Sequence, residues 1–384
     1  MQSNADRIRT THVGALAPIQ QEPPSDGAAE EQLLESVRSI VRLQRQVGID
    51  FVNEGELTKA GNWVNYVTGR LEGFVPRAGN SAAVLLKQSA DWKEFPGFYR
   101  EALGGGTLFT TTREAPSNIR SMDNVCCGPL RYSGQSALAQ EIDLLRSALG
   151  DADPSTAFLT STAPASLEPG RPNEYYASDE QYVFALAEAL RTEYETIVDA
   201  GFSVQVDDAW LAALWDRIGV GMGLPAYKRY CMMRVEALNH ALRNIPADRV
   251  RYHLCWGSWH GPHAHDIPLA DIVDVMLAVN AQTYLFEAAN VRHEHEFTVW
   301  ENVKLPDDKI LAPGVVTHST PLLEHPELVS TRIQRFARLV GRERVVASTD
   351  CGLGLRCHPE IAWAKLKVLV EGARRASTAL WPRS

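Results

Sequence analysis

The sequence contains no unbroken apolar run near the ~18 residues that a membrane-spanning helix needs, so no membrane span is expected. Clustered positive charge is also missing: 38 Lys+Arg against 47 Asp+Glu leave a formal net charge of −9. Nucleic-acid binding relies on concentrated Lys and Arg, which argues against a nucleic-acid partner. A P-loop, a GxGxxG fingerprint and a GxSxG elbow are all absent, which disfavours nucleotide binding and serine hydrolysis. Cysteine is sparse, six in 384 residues. That is too few for a disulfide scaffold, so metal or redox chemistry is the better question to ask of those present. The polar start MQSNADRIRT lacks the apolar centre of a secretory signal, and a cytoplasmic protein is expected.

What is present suits a folded chain: 45% hydrophobic and 22% charged residues, too apolar for disorder. Short β-branched runs alternate with longer stretches of helical apolar spacing. Strands are expected at 8–11, 50–53, 157–161, 203–206, 250–255, 282–286, 310–316 and 344–347. Helical spacing covers 31–46, 179–200, 227–243, 326–340 and 361–376. Eight strands alternating with helices predict an α/β fold, a (β/α)8 TIM barrel over 1–384, with an open doubly wound sheet as the alternative. Residues 71–150 break the rhythm and are read as an insertion after the second strand, a lid or an interface. The Pro- and Gly-rich stretch 164–172 reads as a loop after the third strand.

A barrel of this kind places its chemistry where strands run out into the following loops, and reactive residues gather there. His12 follows strand one, Glu54 and Glu56 strand two, and Asp207 and Asp208 strand four. His253 and Cys255 close strand five, Glu287 closes strand six, His318 follows strand seven, and Asp350 and Cys351 follow strand eight. Residues i and i+2 of a strand share a face, so the His253 imidazole and Cys255 thiol are expected side by side. Imidazole and thiolate suit Zn2+; Cys351 offers a third ligand and Glu287 a fourth, an oxygen. The competing reading makes both cysteines small buried hydrophobes and His253 a core histidine.

Two histidine-rich stretches, Trp259 to His265 and Arg292 to Glu296, are weaker metal candidates, with His260 or His263 better suited to substrate binding. Asp207-Asp208 fits a general acid/base, a grip on a substrate ammonium or a helix N-cap, with Asp207 as the site member and Asp208 structural. Glu54 and Glu56 share a strand face or form a turn. Cys126-Cys127 is too close for an easy disulfide, Cys231 reads as core, and Cys357 as a spare thiol.

Six segments occur in order: Thr10-Thr11-His12-Val13-Gly14, Gly48-Ile49-Asp50 with Glu54-Gly55-Glu56, Gln205-Val206-Asp207, His253-Leu254-Cys255, Gly314-Val315-Val316 and Asp350-Cys351-Gly352-Leu353. Together they resemble the catalytic domain of cobalamin-independent methionine synthase over nearly the whole chain, and most of all its short single-barrel branch. Epoxyalkane:coenzyme M transferase belongs to the same zinc superfamily. The resemblance implies zinc ligands at His253, Cys255, Glu287 and Cys351. It implies a grip on the homocysteine amino group at Glu56 and Asp207, and a catalytic histidine that most nearly matches His318. The family's Ile-Gly-Ser is Val13-Gly14-Ala15 here, so a hydroxyl contact to an amino-acid carboxylate is lost.

The expected function is therefore a zinc-dependent transferase that activates a substrate thiol as its thiolate and alkylates it. His318 and Asp207 are the catalytic candidates, and His12, Glu56, Asp207 and His260 the substrate-binding ones. Methyl transfer from a folate-like or other donor to homocysteine or a related thiol is favoured. Opening of an epoxide by coenzyme M is the rival, and would need a cation for the sulfonate among Arg7, Arg9, Arg113 and Arg292. Readings of another class are a metal-free uroporphyrinogen-decarboxylase-like barrel, which leaves His253 and Cys255 unexplained, and a non-catalytic zinc-binding protein. A homo-oligomer is compatible with any of these.

Overall fold

The computed structural model describes residues 6–17, 29–59, 64–108, 122–354 and 356–382. Arg113, and 109–121 of the stretch read as an insertion, lie outside the described residues. Two sheets organise the rest. Strands β1 (Leu71–Ala78) and β2 (Met122–Tyr132) pair antiparallel as a separate two-stranded sheet. Strands β3 (Phe158–Thr162), β4 (Ser203–Asp208), β5 (Val250–Leu254), β6 (Thr283–Phe286), β7 (Ile310–Val316) and β8 (Ser348–Thr349) form one parallel sheet in sequence order. Every residue of these six strands is buried, as expected where helices cover one face and a filled interior the other.

The sheet is curled, and parallel bridges extend it at both edges: Thr10 pairs with Ala347, and Val52 with Ala157. The Thr10 carbonyl accepts from the Asp50 and Phe51 amides at 3.1 and 3.2 Å, joining the two bridging segments. The architecture is α/β of TIM-barrel type. The segments 8–11 and 50–53, expected as strands, thus contribute single bridges instead of ladders. The Asp50 carboxylate accepts from the Thr10 amide (2.8 Å) and hydroxyl (3.0 Å), a side chain taking a donor that a ladder would use. At 344–347 the expected strand also falls short, with bridges at Val345 and Ala347. Arg344 belongs to a helical turn, its guanidinium donating to the Val340 carbonyl at 2.7 Å.

Helices Ala29–Val47, Asp179–Asp199, Leu224–Ala241, Pro326–Val340 and Pro359–Leu380 stand where apolar spacing predicts them. Ser178 caps the second of these by accepting from the Gln181 amide, a typical N-cap bond. Within 71–150, the helix Gln135–Leu149 packs against Ala29–Val47. The expected loop 164–172 holds a short helix, Pro164–Leu167, with Pro at its first position, where its missing N–H costs nothing.

Inside the curled sheet, Val13, Phe51, Phe158, Leu285, Ile310, Ala312 and Val346 form a small apolar cluster. Arg251 lies with them, fully buried, 3.6 Å over the Phe158 ring, donating to the Thr11 hydroxyl and the His12 carbonyl at 3.0 Å each. Arg251, His253 and Cys255 follow one another at a spacing of two, so this face of β5 passes from a plugged interior to the site.

Candidate active site

The sulfur ligands come first. Cys255 Sγ and Cys351 Sγ lie 3.9 Å apart, and with a His253 ring nitrogen they place three donor atoms within 4.8 Å of one another. The expected pairing of His253 with Cys255 across one strand face, and with Cys351 from the loop after β8, is what the structure brings together. His253 Nδ1 is 2.9 Å from Asp207 Oδ1. A carboxylate only accepts, so Nδ1 carries the hydrogen and the neutral ring keeps its lone pair on Nε2. That Nε2 is buried without a partner. Asp207 is itself held by the Gln205 amide at 2.9 Å, and that amide also donates to the Val13 carbonyl. A carboxylate that orients a histidine in this way is a regular companion of metal sites.

Charge in the pocket agrees. Burial pulls the His253 pKa down, but the hydrogen bond and charge of Asp207 outweigh it and raise it to about 9. A metal bound at Nε2 would compete with a proton there. The Cys255 thiol, hydrogen-bonded to Cys351, brings the latter down to about 6 against the cost of burial, with His253 and Arg356 helping. Cys255 is correspondingly pushed well up. One thiolate is thus favoured even before a metal binds.

Glu287 borders this centre. Its Oε1 accepts from the Trp256 amide (3.0 Å) and lies 3.5 Å from Cys255 Sγ, while Oε2 accepts from the Asn290 side chain (2.7 Å). Glu287 also forms a second group of potential ligands with His318 and Asp350, one atom of each lying within 4.8 Å of the others. Asp350 is anchored by the Ala288 and Ala289 amides, both 2.8 Å. Burial raises Glu287 to about 7, with His293 opposing. His318 is buried with Nδ1 unpartnered, and burial beside Arg356 and other histidines pushes it far below its usual range.

Next to this centre is a cluster of buried carboxylates, an acidic chamber, in which the Asp207 charge acts on Glu56. Glu54 and Glu56 follow the Val52 bridge and are both buried. Burial raises Glu54 to about 7 and Glu56 to about 8, Lys59 countering it and neighbouring carboxylates adding to it. Glu56 has a positive φ of 59°, an uncommon conformation for a residue with a side chain. A Cβ built at Gly14 would lie 2.2 Å from Glu56 Oε1, so only glycine leaves room for that carboxylate. Asp208 is bound by the Ser166 (2.9 Å) and Tyr252 (3.1 Å) hydroxyls, a structural pattern distinct from that of Asp207.

The remaining candidates divide. His12 is buried, Nε2 2.7 Å from Gln44 Oε1 and its ring 5.5 Å from Phe158; burial lowers it to about 3. The His260 amide donates to the Leu108 carbonyl at 2.7 Å, and its Nε2 is buried without a partner. The histidine-rich stretches form a separate network: Asp266 bridges His263 (3.0 Å) and His293 (3.1 Å), and His293 also meets Glu296 at 2.8 Å. The His293 ring packs tilted against Trp256, centroids 4.3 Å apart, so this network braces the loop after Cys255. Of the arginines considered for a sulfonate, Arg7 pairs with Asp50, Arg9 lies over Phe51, and Arg292 donates to the Ala264 carbonyl. The cation whose charge reaches both thiols is Arg356, which sequence reasoning missed; its place five residues after Cys351 was the available signal. Asn290 and Lys59 were missed as well.

A family model described as "Cobalamin-independent synthase, Catalytic domain" matches residues 159–375. A methionine synthase of Thermococcus kodakarensis is 23% identical over 89% of this chain and 84% of its own length. A methionine synthase of Saccharolobus solfataricus is 28% identical over 56% of this chain, and the match spans only 57% of that relative. The 2-hydroxypropyl-CoM lyase of Xanthobacter autotrophicus is 24% identical over 92% of this chain and 87% of its own length. Among solved structures, a B12-independent methionine synthase from Shewanella bound to selenomethionine superposes with a TM-score of 0.69 at 16% identity, covering 96% of this chain and 97% of that one. That likeness speaks to the fold. No described helix is long and apolar enough to cross a membrane. The curled parallel sheet, the strand-end donors and the match over 159–375 converge: the chain belongs to the cobalamin-independent synthase catalytic-domain family.

Proposed function

We propose that the protein is a zinc-dependent transferase that alkylates a substrate thiol, with methyl transfer to homocysteine or a related thiol as the preferred reaction. The observation that carries this reading is the convergence of a buried, unpartnered His253 Nε2 with the two sulfurs of Cys255 and Cys351. Two sulfurs and one imidazole suit zinc, and three protein ligands leave a position for substrate. Zinc held there would favour the thiolate of an incoming thiol near neutral pH, the form that attacks an electrophilic carbon.

The chain's own residues do the rest. Asp207 fixes the His253 tautomer. Glu287, tethered by the Trp256 amide and Asn290 beside Cys255, would be the residue to supply a fourth, exchangeable oxygen when zinc is bound. Glu56 and Asp207 offer negative charge to a substrate ammonium, and His318, once it has taken up a proton as imidazolium, hands it to the leaving group and returns to the neutral ring. His12 and His260 complete the substrate-binding set. The chain is read as a single closed (β/α)8 barrel, with 71–150 inserted after the second strand.

A second reading, epoxide opening by coenzyme M, is favoured by two observations. Arg356 carries positive charge toward both thiols, and Ala15 stands where a serine hydroxyl would help hold an amino acid. The test is competition between homocysteine and coenzyme M on the zinc-loaded protein, with a methyl-folate donor and with an epoxide. Methylated homocysteine in the wild type but not in Cys255→Ser supports the first reading. Coenzyme M consumed only with the epoxide supports the second. Neither product rejects thiol alkylation.

A further inference from the structure

Lys59 is almost fully buried at the edge of the acidic chamber. Its ammonium donates to the Thr160 carbonyl (2.6 Å) and hydroxyl (2.5 Å) and lies 3.2 Å from Glu141 Oε1. An ammonium has donors only, so the Thr160 oxygen accepts from it and the hydroxyl hydrogen must point elsewhere. It points to Glu56 Oε1, 3.0 Å away. The result is a directed chain, Lys59 to Thr160 to Glu56. Glu141, on the helix Gln135–Leu149, also meets Arg70 at 2.8 Å. Arg70 in turn meets Glu193 at 3.0 Å, which also accepts from the Tyr66, Tyr132 and Ser161 hydroxyls. Lys59 is therefore locked from behind by a buried network.

We propose that Lys59, acting through the Thr160 hydroxyl, is the positioning residue that aims the Glu56 carboxylate and keeps it available to the ammonium of an amino-bearing thiol. This rests on the reading of Glu56 as that ammonium's partner. The groups facing Glu56 are Lys59 and Glu54 from its own segment, Thr160 from β3, Asp207 from β4 and the Gly14 backbone. Lys59 is the cation among them. Two carboxylates oppose ionisation of Glu56 and one ammonium with its hydroxyl relay favours it, so the relay decides both where Oε1 sits and how readily it holds charge.

The test is calorimetric binding of homocysteine and of 4-mercaptobutanoate, its counterpart without the amine, to zinc-loaded protein between pH 6.5 and 9. Thr160→Val is the first variant, because it removes the relay without stranding the Lys59 charge; Lys59→Met and Glu56→Gln follow. The expected result in Thr160→Val is a loss of homocysteine affinity of about fivefold at pH 7, the size of one ordinary hydrogen bond, shrinking toward pH 9, with 4-mercaptobutanoate and zinc content unchanged. Lys59→Met shows the same pattern, larger. Equal weakening of both thiols in Thr160→Val would mean a merely structural role and overturns the proposal. So does a discrimination lost in Glu56→Gln yet intact in Thr160→Val and Lys59→Met. If Glu56→Gln keeps the discrimination, or the wild type has none, the reading of Glu56 itself fails.

Discussion

The sulfur centre and the acidic chamber lie side by side but are built on opposite principles. At the sulfur centre potential ligand atoms crowd together with one of them left open: His253 Nε2 has no partner, and the Cys255 and Cys351 sulfurs lie 3.9 Å apart. Behind Glu56 the charged side chains are tied to one another, Glu193 receiving four donors and Lys59 meeting three acceptors, while Glu54 Oε2 stays without a partner. An unpaired buried donor set costs stability unless a ligand completes it. A saturated network resists movement and holds a geometry. On the function proposed, the contrast is a division of labour: one half would take an ion and a sulfur, and the other would be set in advance for the charge of the substrate.

The largest expected effect is at the centre. Cys351→Ala should leave a folded protein by circular dichroism but remove most bound zinc and lower thiol alkylation by at least about a thousandfold, because the metal contributes several kcal/mol to the chemistry. Full zinc content in that variant would break the contrast. Asp207→Asn comes next. Losing the carboxylate behind His253 should weaken zinc affinity roughly 10–100-fold, measured by chelator competition, as such companions do elsewhere.

Gly14→Ala tests the chamber alone. Its Cβ would meet Glu56 Oε1 at 2.2 Å, so Glu56 must move. The KM for homocysteine should rise about tenfold, the worth of a hydrogen bond to a charged group, with zinc content unchanged. A loss of zinc instead would show that the two regions are not separable. The smallest effect is with pH. Glu56 is raised to about 8, so its carboxylate forms as pH rises through that value, and homocysteine binding should strengthen severalfold from pH 7 to 9. Glu56→Gln should flatten that limb.

The same contrast explains what the sequence made legible. His253 and Cys255 are two apart on one strand, and Cys351 follows another strand, so period and barrel topology sufficed to bring them together. The helices were legible for the same reason, apolar spacing being a local signal. The strands at 8–11 and 50–53 read too long because the Asp50 side chain takes the Thr10 amide, a contact across 40 positions. Lys59, Thr160 and Glu141 lie up to 101 residues apart and share no motif, so their chain of contacts exists only in the fold. Asp207 was legible as a site residue, but its bond to His253 needed the register of β4 beside β5, where the two residues pair directly.

Zinc K-edge X-ray absorption of the protein, alone and with homocysteine or coenzyme M, tests the central claim most directly. The account predicts one zinc with about two sulfurs and at least one imidazole in its shell, and one further sulfur when the substrate thiol binds. Absence of stoichiometric zinc, or a shell that no thiol alters, would contradict it.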